Sequence, residues 1–434
     1  MQLLNPLSGT QNSVVTPRIM LFDLSVGGHH PGYIQNLIRY WCDQDFAGAI
    51  DVVVVPRFME LHGDVVAEAQ SYPNQRINFV PLSADEVARL NTRAGAVAKA
   101  YQAFQEWGLL CQYARRLGTT HAVLMYLDTA LVPFIFGQKP PCQISGIFFR
   151  PTFHYATFGH TPSTWKDRIQ VWRERFNLSQ ILRRPELSAL YCLDPLVVEH
   201  LDQFGGSTAC LYLPDPVQLY ADDQPDLEQF RSQLGIQPDR TVFLFFGALT
   251  NRKGIYQVLD AIATLTTEQR SKLCLLLVGP LGANPDDKQQ MLKKLSELSD
   301  SYQVQTVIRD QFVIDREIQP YFQIADVILA PYQRHVGMSA ILVRAAAAQK
   351  PVLSSDYGLM GEVTRRYGLG LTVDSADPQA IAQGVTRFLQ EDSHLLCNVD
   401  TMRQFAEQNA ATRFAETIVR HVWQAVVAQS GAPD

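Results

Sequence analysis

One segment in the second half of the chain has a pattern suited to binding an anion. Gly337, Met338 and Ser339 come after a buried apolar run that ends at Ala330, and a helical pattern follows from about residue 340 to 348. The first N–H groups of a helix lack intrahelical partners and carry partial positive charge, so a phosphate-sized anion is a natural ligand there. These residues could instead only form a turn and cap a core helix, and the segment alone leaves both interpretations open.

Further chemistry-bearing residues lie in the first half, in a glycine-rich turn. Gly28 and His29 belong to the sequence Gly-Gly-His-His, which follows a buried run over 18–24 and precedes a helical pattern over 34–42. In a doubly wound sheet such a turn lies at the carboxyl ends of the strands, where ligands bind and where glycine lets them approach the backbone. A histidine pair after a turn is also a common structural feature, so His29 could contact substrate or support the loop.

Two other polar residues follow buried runs of the first half. Asp128 comes after the run 121–127, and His154 comes shortly after the run 143–149. Polar residues directly after buried strands line the crevice of an open α/β sheet, so both are candidate catalytic residues. For His154 a structural role is an equally open alternative.

The elements that position these residues are apolar runs that alternate with helical patterns. In the second half the runs cover 241–247, 273–279, 305–309, 325–330 and 351–355. This alternation predicts a parallel sheet that is covered on both faces by helices.

The order of motifs in the second half resembles the nucleotide-sugar domain of GT-B fold glycosyltransferases, in particular the large retaining group, glycosyl transferases group 1. The resemblance spans roughly residues 241–390, about a third of the chain. It is carried by Gly247 with Lys253-Gly254, Val278-Gly279-Pro280, Ala325-Asp326-Val327 ending at Pro331, Lys350-Pro351-Val352, and Gly358 with Glu362 ahead of Gly368.

The resemblance implies a GT-B fold, an α/β architecture in which two Rossmann-like parallel-sheet domains face each other across a cleft. It implies a nucleoside diphosphate sugar as donor, transfer with retention of configuration, and no metal. The donor-binding residues it implies begin with Lys253 and Arg252, which would hold the diphosphate together with the N–H groups of 337–339. The other implied donor-side residues are Gly28, Gly279, Arg344 and Glu362, and His154 would contact the donor sugar.

The sequence departs from the family pattern in two ways. The usual arginine after the first strand's glycine is missing, since Ala248 follows Gly247, although Arg252 could supply that charge, and a usual pair of glutamates is replaced. The group usually has two glutamates eight positions apart, the first toward the donor sugar and the second toward the ribose, and here Val336 and Arg344 stand in those places. A guanidinium cannot accept a hydrogen bond from a ribose hydroxyl as a carboxylate does. Arg344 therefore implies different donor contacts, an altered donor or lost catalysis.

The whole chain is consistent with a globular protein of two domains. It has 434 residues, 47% of them hydrophobic, and a formal charge of −6, which does not match the basic excess of a nucleic-acid binder. The longest apolar runs, about seven residues, fall short of the roughly 20 needed to cross a bilayer. The first 17 residues show no signal-peptide pattern, and the seven scattered cysteines are typical of a cytoplasmic protein without disulfides or zinc.

We predict a Rossmann-like acceptor domain over 18–213, a linker over 214–240 that is rich in proline and aspartate at its start, and a nucleotide-sugar domain over 241–400. A closing helix over 401–429 would return to the first domain.

Residues 164–186 combine Trp165, Ile169, Trp172 and Phe176 at helical spacing with an excess of arginine. Such a helix could lie on an anionic membrane surface and reach a lipid-linked acceptor, or it could pack on its own domain with a solvated basic face.

Two functions follow from these observations. The first is a cytoplasmic glycosyltransferase that uses a nucleotide-sugar donor and an unidentified carbohydrate, lipid-linked or small-molecule acceptor. The second is a non-catalytic GT-B protein that binds a sugar nucleotide or phosphate and acts as a partner or regulator; Val336 and Arg344 favour this alternative.

Overall fold

The computed structural model describes residues 17–73, 76–90, 95–149, 151–154, 165–218 and 226–430. These residues form two parallel sheets, one of seven strands and one of six. Helices accompany both sheets, as the alternating sequence pattern predicts, and the expected α/β fold of two Rossmann-like domains is confirmed.

The first sheet has the strand order β3-β2-β1-β4-β5-β6-β7. Its strands are β1 (Arg18–Phe22), β2 (Ala49–Val54), β3 (Arg76–Pro81), β4 (His121–Leu124), β5 (Gln143–Phe148), β6 (Leu187–Cys192) and β7 (Ala209–Tyr212). The helices of this half are α1 (His30–Asp43), α2 (Pro56–Leu61), α3 (Gly63–Ser71), α4 (Ala84–Leu90), α5 (Ala96–Leu117), α6 (Leu131–Phe136), α7 (Trp165–Ile181) and α8 (Val198–Leu201).

The second sheet has the strand order β10-β9-β8-β11-β12-β13. Its strands are β8 (Thr241–Phe246), β9 (Leu273–Val278), β10 (Gln305–Arg309), β11 (Val327–Ala330), β12 (Val352–Ser355) and β13 (Gly370–Val373). The helices are α9 (Leu227–Gln233), α10 (Ile255–Thr264), α11 (Thr267–Ser271), α12 (Pro285–Asp300), α13 (Asp315–Ile324), α14 (Ala340–Ala347), α15 (Gly358–Arg366), α16 (Pro378–Gln390), α17 (Val399–Gln408) and α18 (Ala411–Ser430).

In both sheets the chain order reverses beside the first strand, because the chain moves from β1 outward to β3 and then returns to β4, and likewise from β8 to β10 and back to β11. A crevice forms at such a switch point, at the carboxyl ends of the strands. The loops that follow β1 and β8 therefore lie where a ligand can reach them.

The segment 214–240, which the sequence analysis treats as a linker, contains α9. Asp226 caps this helix by accepting hydrogen bonds from the N–H groups of Glu228 and Gln229. Leu227 and Phe230 pack against the core of the second domain. The second half of the linker segment thus belongs structurally to the second domain.

The closing segment is two helices rather than one, since α17 ends before Asn409 and α18 begins at Ala411. Asn409 is buried, and its side-chain oxygen accepts a hydrogen bond of 2.7 Å from the Tyr212 hydroxyl. Helix α17 packs on α14 of the second domain, and α18 packs on α1 of the first. Phe414 and Ile418 of α18 are buried in the core of the first domain.

Helix α7 contacts its domain through the face opposite its aromatic residues. Leu178 and Ile181 are fully buried, whereas Trp165 and Trp172 are 67% and 68% exposed. The structure therefore contradicts packing of the aromatic residues on their own domain. None of the helices formed by the described residues is long and apolar enough to span a bilayer.

Candidate functional site

A cleft with a volume of about 530 Å³ lies between the two domains. Its first wall comes from the start of α1 and the loop before it, and its second wall comes from the loops after β8 and β9 and from α14. The lining includes Gly28, His29, Tyr33, Asp215, Gly247, Gly279, Ala340 and Arg344.

The glycines of the second wall allow two loops to approach each other. Gly279 has a φ of +126°, and a Cβ on it would lie 2.3 Å from the backbone oxygen of Gly247. Gly247 has a φ of +95°, and a Cβ on it would lie 2.3 Å from the Nζ of Lys253. Gly279 needs glycine because a side chain would meet backbone, and Gly247 favours glycine because of its positive φ, although the Lys253 ammonium could move aside.

Lys253 and Arg252 lie in a 3₁₀ turn, Asn251–Lys253, directly before α10. The Nζ of Lys253 donates a hydrogen bond of 2.8 Å to the backbone oxygen of Phe246 and lies 5.3 Å from the ring centre of Tyr332. The guanidinium carbon of Arg252 lies 5.9 Å from the same ring centre. Both cations are within the range of cation–π attraction, which helps to hold them side by side.

Tyr332 also connects these cations with the start of α14. Its hydroxyl lies 3.3 Å from the Oγ of Ser339, the N-cap residue of that helix. Ser339 has an extended backbone, and its side chain makes no capping hydrogen bond to the helix. The first N–H groups of α14 therefore receive no cap from this serine, which leaves them suited to an anion.

The other two residues of the predicted anion loop have local packing roles. Met338 packs partly against the core of the second domain, and its backbone oxygen lies 3.2 Å from the Nε2 of His335. A Cβ on Gly337 would make only ordinary contact with the His335 ring, at 3.9 Å. The space around Gly337 therefore does not by itself require glycine.

Arg344 lies in the cleft together with two residues that the sequence analysis did not select. The hydroxyl of Tyr33 donates a hydrogen bond of 2.9 Å to Asp215, which lies between the two domains in sequence. Burial raises the pKa of Asp215, and the bond from Tyr33 and the positive charge of Arg344 partly offset this rise. Arg344 itself is only 8% exposed. The positive charge at the family's second glutamate position thus acts on a carboxylate of this chain.

The sequence analysis missed Asp215 because it lies in a proline-rich stretch that reads as a linker. Tyr33 was not selected because it ends the glycine-rich turn before the helical pattern over 34–42 and belongs to no motif. One feature of the sequence could have indicated Asp215, namely that it is a carboxylate between two prolines shortly after strand β7.

The glycine-rich loop of the first domain is braced by a buried pair. The Nδ1 of His30 lies 2.7 Å from the Oδ2 of Asp23, and Asp23 also accepts a hydrogen bond of 2.9 Å from the N–H of Ser25. Gly28 has a φ of +66°, which favours glycine. The structural role that the sequence analysis left open for the histidine pair is therefore filled by His30.

His29 remains at the cleft. Its ring stacks on Phe149 with a centre distance of 4.9 Å and an interplanar angle of 25°. The pKa of His29 is lowered to about 4. Loss of hydration is the larger cause, and electrostatic repulsion by the nearby His30 is the smaller one, although part of the His29 surface faces the cleft. At neutral pH its imidazole is therefore uncharged and able to hydrogen-bond as a neutral group.

Eight predicted site residues are not among the described residues that line this cleft. Five of them, described above, lie beside it in the second domain, and the other three are His154, Asp128 and Glu362. His154 is buried, with its Nε2 2.9 Å from the Oδ2 of Asp194. Asp128 accepts a hydrogen bond of 2.9 Å from the N–H of Phe149 and lines a different cavity of the first domain. Glu362 lies on α15, 3.3 Å from Arg365. Their proposed contacts with substrate stay predictions.

The family model for Glycosyl transferases group 1 matches residues 226–411. One curated relative, a D-inositol 3-phosphate glycosyltransferase of Corynebacterium urealyticum, is 29% identical over 189 residues, which cover 42% of each chain. The chain spans less than half the length of the curated relatives it matches.

Solved structures match over nearly the whole chain. A glycosyltransferase from Rickettsia africae superposes with a TM-score of 0.63 at 12% identity, over 95% of this chain and 99% of that one. An Anabaena protein in complex with UDP-glucose superposes with a TM-score of 0.56 at 15% identity, over 96% and 100%. These matches establish the fold. The chain is therefore a GT-B fold protein whose residues 226–411 match the family model for Glycosyl transferases group 1.

Proposed function

We propose that the protein is a glycosyltransferase that moves a sugar from a nucleoside diphosphate sugar to an acceptor. The observation that carries this proposal is the grouping at Tyr332, where Lys253 and Arg252 share one ring whose hydroxyl lies 3.3 Å from the N-cap Ser339 of α14. Two cations and a helix start beside the cleft between the domains form a site for a diphosphate.

The chemistry of the reaction explains why such a site would matter. The bond between the anomeric carbon and the diphosphate oxygen breaks, and negative charge develops on the leaving diphosphate. Lys253, Arg252 and the N–H groups at the start of α14 would stabilise that charge as it forms. The acceptor hydroxyl forms the new bond to the anomeric carbon and gives up its proton. The family likeness favours retention of configuration at that carbon.

The first domain would supply the remaining contacts of the donor and the acceptor. His29, neutral at the working pH because its pKa is about 4, would hydrogen-bond a sugar hydroxyl across the cleft. Gly28 and Gly279 would let the substrate approach the backbone on either side. UDP-glucose is the first donor to test, because the Anabaena structure holds it on the same fold.

A specific observation favours the second candidate, a protein that binds a sugar nucleotide without turnover. Arg344 lies where the family places a carboxylate, and its positive charge partly offsets the raised pKa of Asp215. A site altered in this way could keep diphosphate binding and lose transfer.

Binding and turnover separate the two candidates. Calorimetry with UDP, GDP and their sugars, followed by an assay for diphosphate release, should show saturable binding of one donor with release of its diphosphate. Lys253→Ala should weaken that binding about 10- to 100-fold, since a charge-assisted hydrogen bond contributes about 1.5–3 kcal/mol. Saturable binding without release, with candidate acceptors present, would support the non-catalytic candidate.

Lys293→Ala is the matched control, because Lys293 is an exposed lysine of α12 outside the cleft lining. It should bind the donor like the unmodified protein. Equal affinity of Lys253→Ala and Lys293→Ala would refute the placement of the diphosphate.

The acceptor, whether a carbohydrate, a lipid-linked molecule or a small molecule, belongs to the same proposal, as does a cytoplasmic location. The cavity that Asp128 lines in the first domain has a volume of about 490 Å³ and is proposed to receive the acceptor.

A further inference from the structure

Exposed large apolar side chains are concentrated on three neighbouring helices of the first domain. Among the described residues fourteen such side chains are exposed, and nine of them belong to α5, α6 and α7. We call this surface the α5–α7 face; its exposed apolar residues are Val97, Tyr101, Phe104, Val132, Phe136, Trp165, Ile169, Trp172 and Phe176. Soluble proteins seldom leave a large apolar patch uncovered unless it binds something.

Helix α7 has the geometry of a helix that lies at an interface. With about 100° of rotation per residue, its four exposed apolar residues fall within about 60° of one another. Leu178 and Ile181, which are buried in the domain, lie on the opposite side. The apolar stripe therefore points directly away from the protein core.

Arginines flank this stripe on both sides. On the same helical projection, Arg168 and Arg175 lie on one side of the stripe and Arg173 on the other, and all three are exposed. Exposed Arg183 follows the end of the helix. The acidic Glu174 points the opposite way and is buried, where its carboxylate accepts a hydrogen bond of 2.8 Å from the N–H of Thr152. The stripe is thus bordered by positive charge.

The rest of the face continues around one opening. The cavity of about 490 Å³ is lined by the start of α5, by α6 and by α7, including exposed Lys99, Phe104 and Arg173. Arg184, just after α7, donates a hydrogen bond of 2.9 Å to the backbone oxygen of Ile135 in α6. The three helices therefore adjoin one another around this cavity, and Phe104 and Val132 of the α5–α7 face lie at its lining.

We propose that the α5–α7 face binds the surface of a membrane that contains anionic lipids. Two exposed tryptophans and their aromatic and aliphatic neighbours would enter the boundary between headgroups and acyl chains, and the flanking arginines would bind lipid phosphates. A second copy of the chain fits this face less well. A two-fold contact would bring the arginines of both copies together, which costs electrostatic energy.

Membrane binding also suggests which acceptor the enzyme would use. A docked face brings the mouth of the cavity to the lipid headgroups, so the acceptor would be a lipid-linked molecule. This consequence rests on the proposed glycosyl transfer, whereas the binding of lipid does not.

Co-sedimentation of the full-length protein with vesicles tests the proposal in the absence of any donor. The protein should sediment with vesicles of equal parts phosphatidylcholine and phosphatidylglycerol and remain in solution with phosphatidylcholine alone. Added salt should weaken the binding, since the arginines are screened. Tryptophan emission should shift to shorter wavelength on binding, because Trp165 and Trp172 leave water.

Two variants and their controls locate the binding surface. The pair Trp172→Ser and Phe176→Ser should lower the partition into anionic vesicles at least tenfold, and the pair Arg168→Glu and Arg175→Glu should lower it by at least about fivefold per charge. Leu395→Ser and Lys293→Glu change an exposed apolar residue and an exposed cation of the second domain, and they should leave partition unchanged.

Three results would overturn the proposal. The first is that the protein sediments with neither kind of vesicle. The second is that the α7 variants sediment as much as the controls do. The third is that the protein forms a dimer in solution that Trp172→Ser disrupts, while lipid binding is absent. Donor binding measured separately stays intact in each case if the proposed function holds, so the two proposals fail independently.

Discussion

The contact between Gly247 and Lys253 allows a quantitative test of the diphosphate site. A Cβ on Gly247 would lie 2.3 Å from the Nζ of Lys253, which is more than 1 Å inside an ordinary nonbonded separation of about 3.5 Å. Gly247→Ala should therefore displace the ammonium. A displacement of this size would break the hydrogen bond of 2.7–3.2 Å that Lys253 is proposed to make to a phosphate oxygen.

The expected magnitude follows from the loss of one charged interaction. Gly247→Ala should lower donor affinity by about 10- to 100-fold, as Lys253→Ala does, because about 1.5–3 kcal/mol of binding free energy is lost in each case. In the Lys253→Ala protein the lysine is already absent, so adding Gly247→Ala should change affinity by less than about threefold. The coupling free energy of the cycle should thus reach at least about 1 kcal/mol.

Backbone strain is the competing explanation, since Gly247 has a φ of +95°. Gly235→Ala is the control, because Gly235 has a φ of +73° but open space around its Cβ position. Both alanine variants should unfold at lower urea concentration, and only Gly247→Ala should lose affinity. Calorimetry of the four proteins of the cycle gives the coupling directly. Additive losses, or full affinity in Gly247→Ala, would refute the inference that this lysine holds the donor.

Two further predictions concern buried charges. Burial raises the pKa of Glu174 to about 7, so the native state resists ionisation and loses stability relative to the unfolded chain as pH rises from about 4.5 to about 7. Glu174→Gln should accordingly be more stable than the unmodified protein by on the order of 2–3 kcal/mol at pH 8 and equal to it at pH 4, measured by urea unfolding. The exposed Glu228→Gln should show no such pH dependence, and a constant difference for Glu174→Gln would contradict the assignment. Arg344→Glu would restore the family's carboxylate but place it near Asp215, so it should lower the free energy of unfolding by on the order of 3 kcal/mol, with partial recovery when Asp215→Asn is added. Arg365→Glu, at an exposed position, is the control. If Arg344→Glu leaves the free energy of unfolding unchanged, Arg344 and Asp215 do not interact.

The fold was predictable from sequence because its signals are local. Buried runs such as Leu273–Val278 are apolar on both faces, as a covered parallel strand requires, and they alternate with amphipathic helices. The ordered motifs from Gly247 to Gly368 identified the second domain. The helix start at Ser339 was readable for the same reason, since caps and turns depend on neighbouring residues.

The candidate site was only partly predictable, because it depends on residues that are far apart in the chain. Tyr332 has no motif of its own, yet its ring contacts both cations, and its hydroxyl lies beside Ser339. The Asp215 carboxylate gained its role only when the two domains placed Tyr33 and Arg344 beside it. His154 and Asp194 show the opposite case, in which a polar residue after a strand is buried against a partner instead of facing the cleft.

The sequence by itself determined the two parallel sheets, the glycine turns and the cationic loop, because each follows from the periodicity or conformational preference of adjacent residues. Tertiary structure alone decided which face of α7 is buried. The spacing of Trp165, Ile169, Trp172 and Phe176 is the same for a stripe that packs on the core as for one that faces solvent. Only the position of the rest of the domain, which packs against Leu178 and Ile181, leaves the aromatic face exposed.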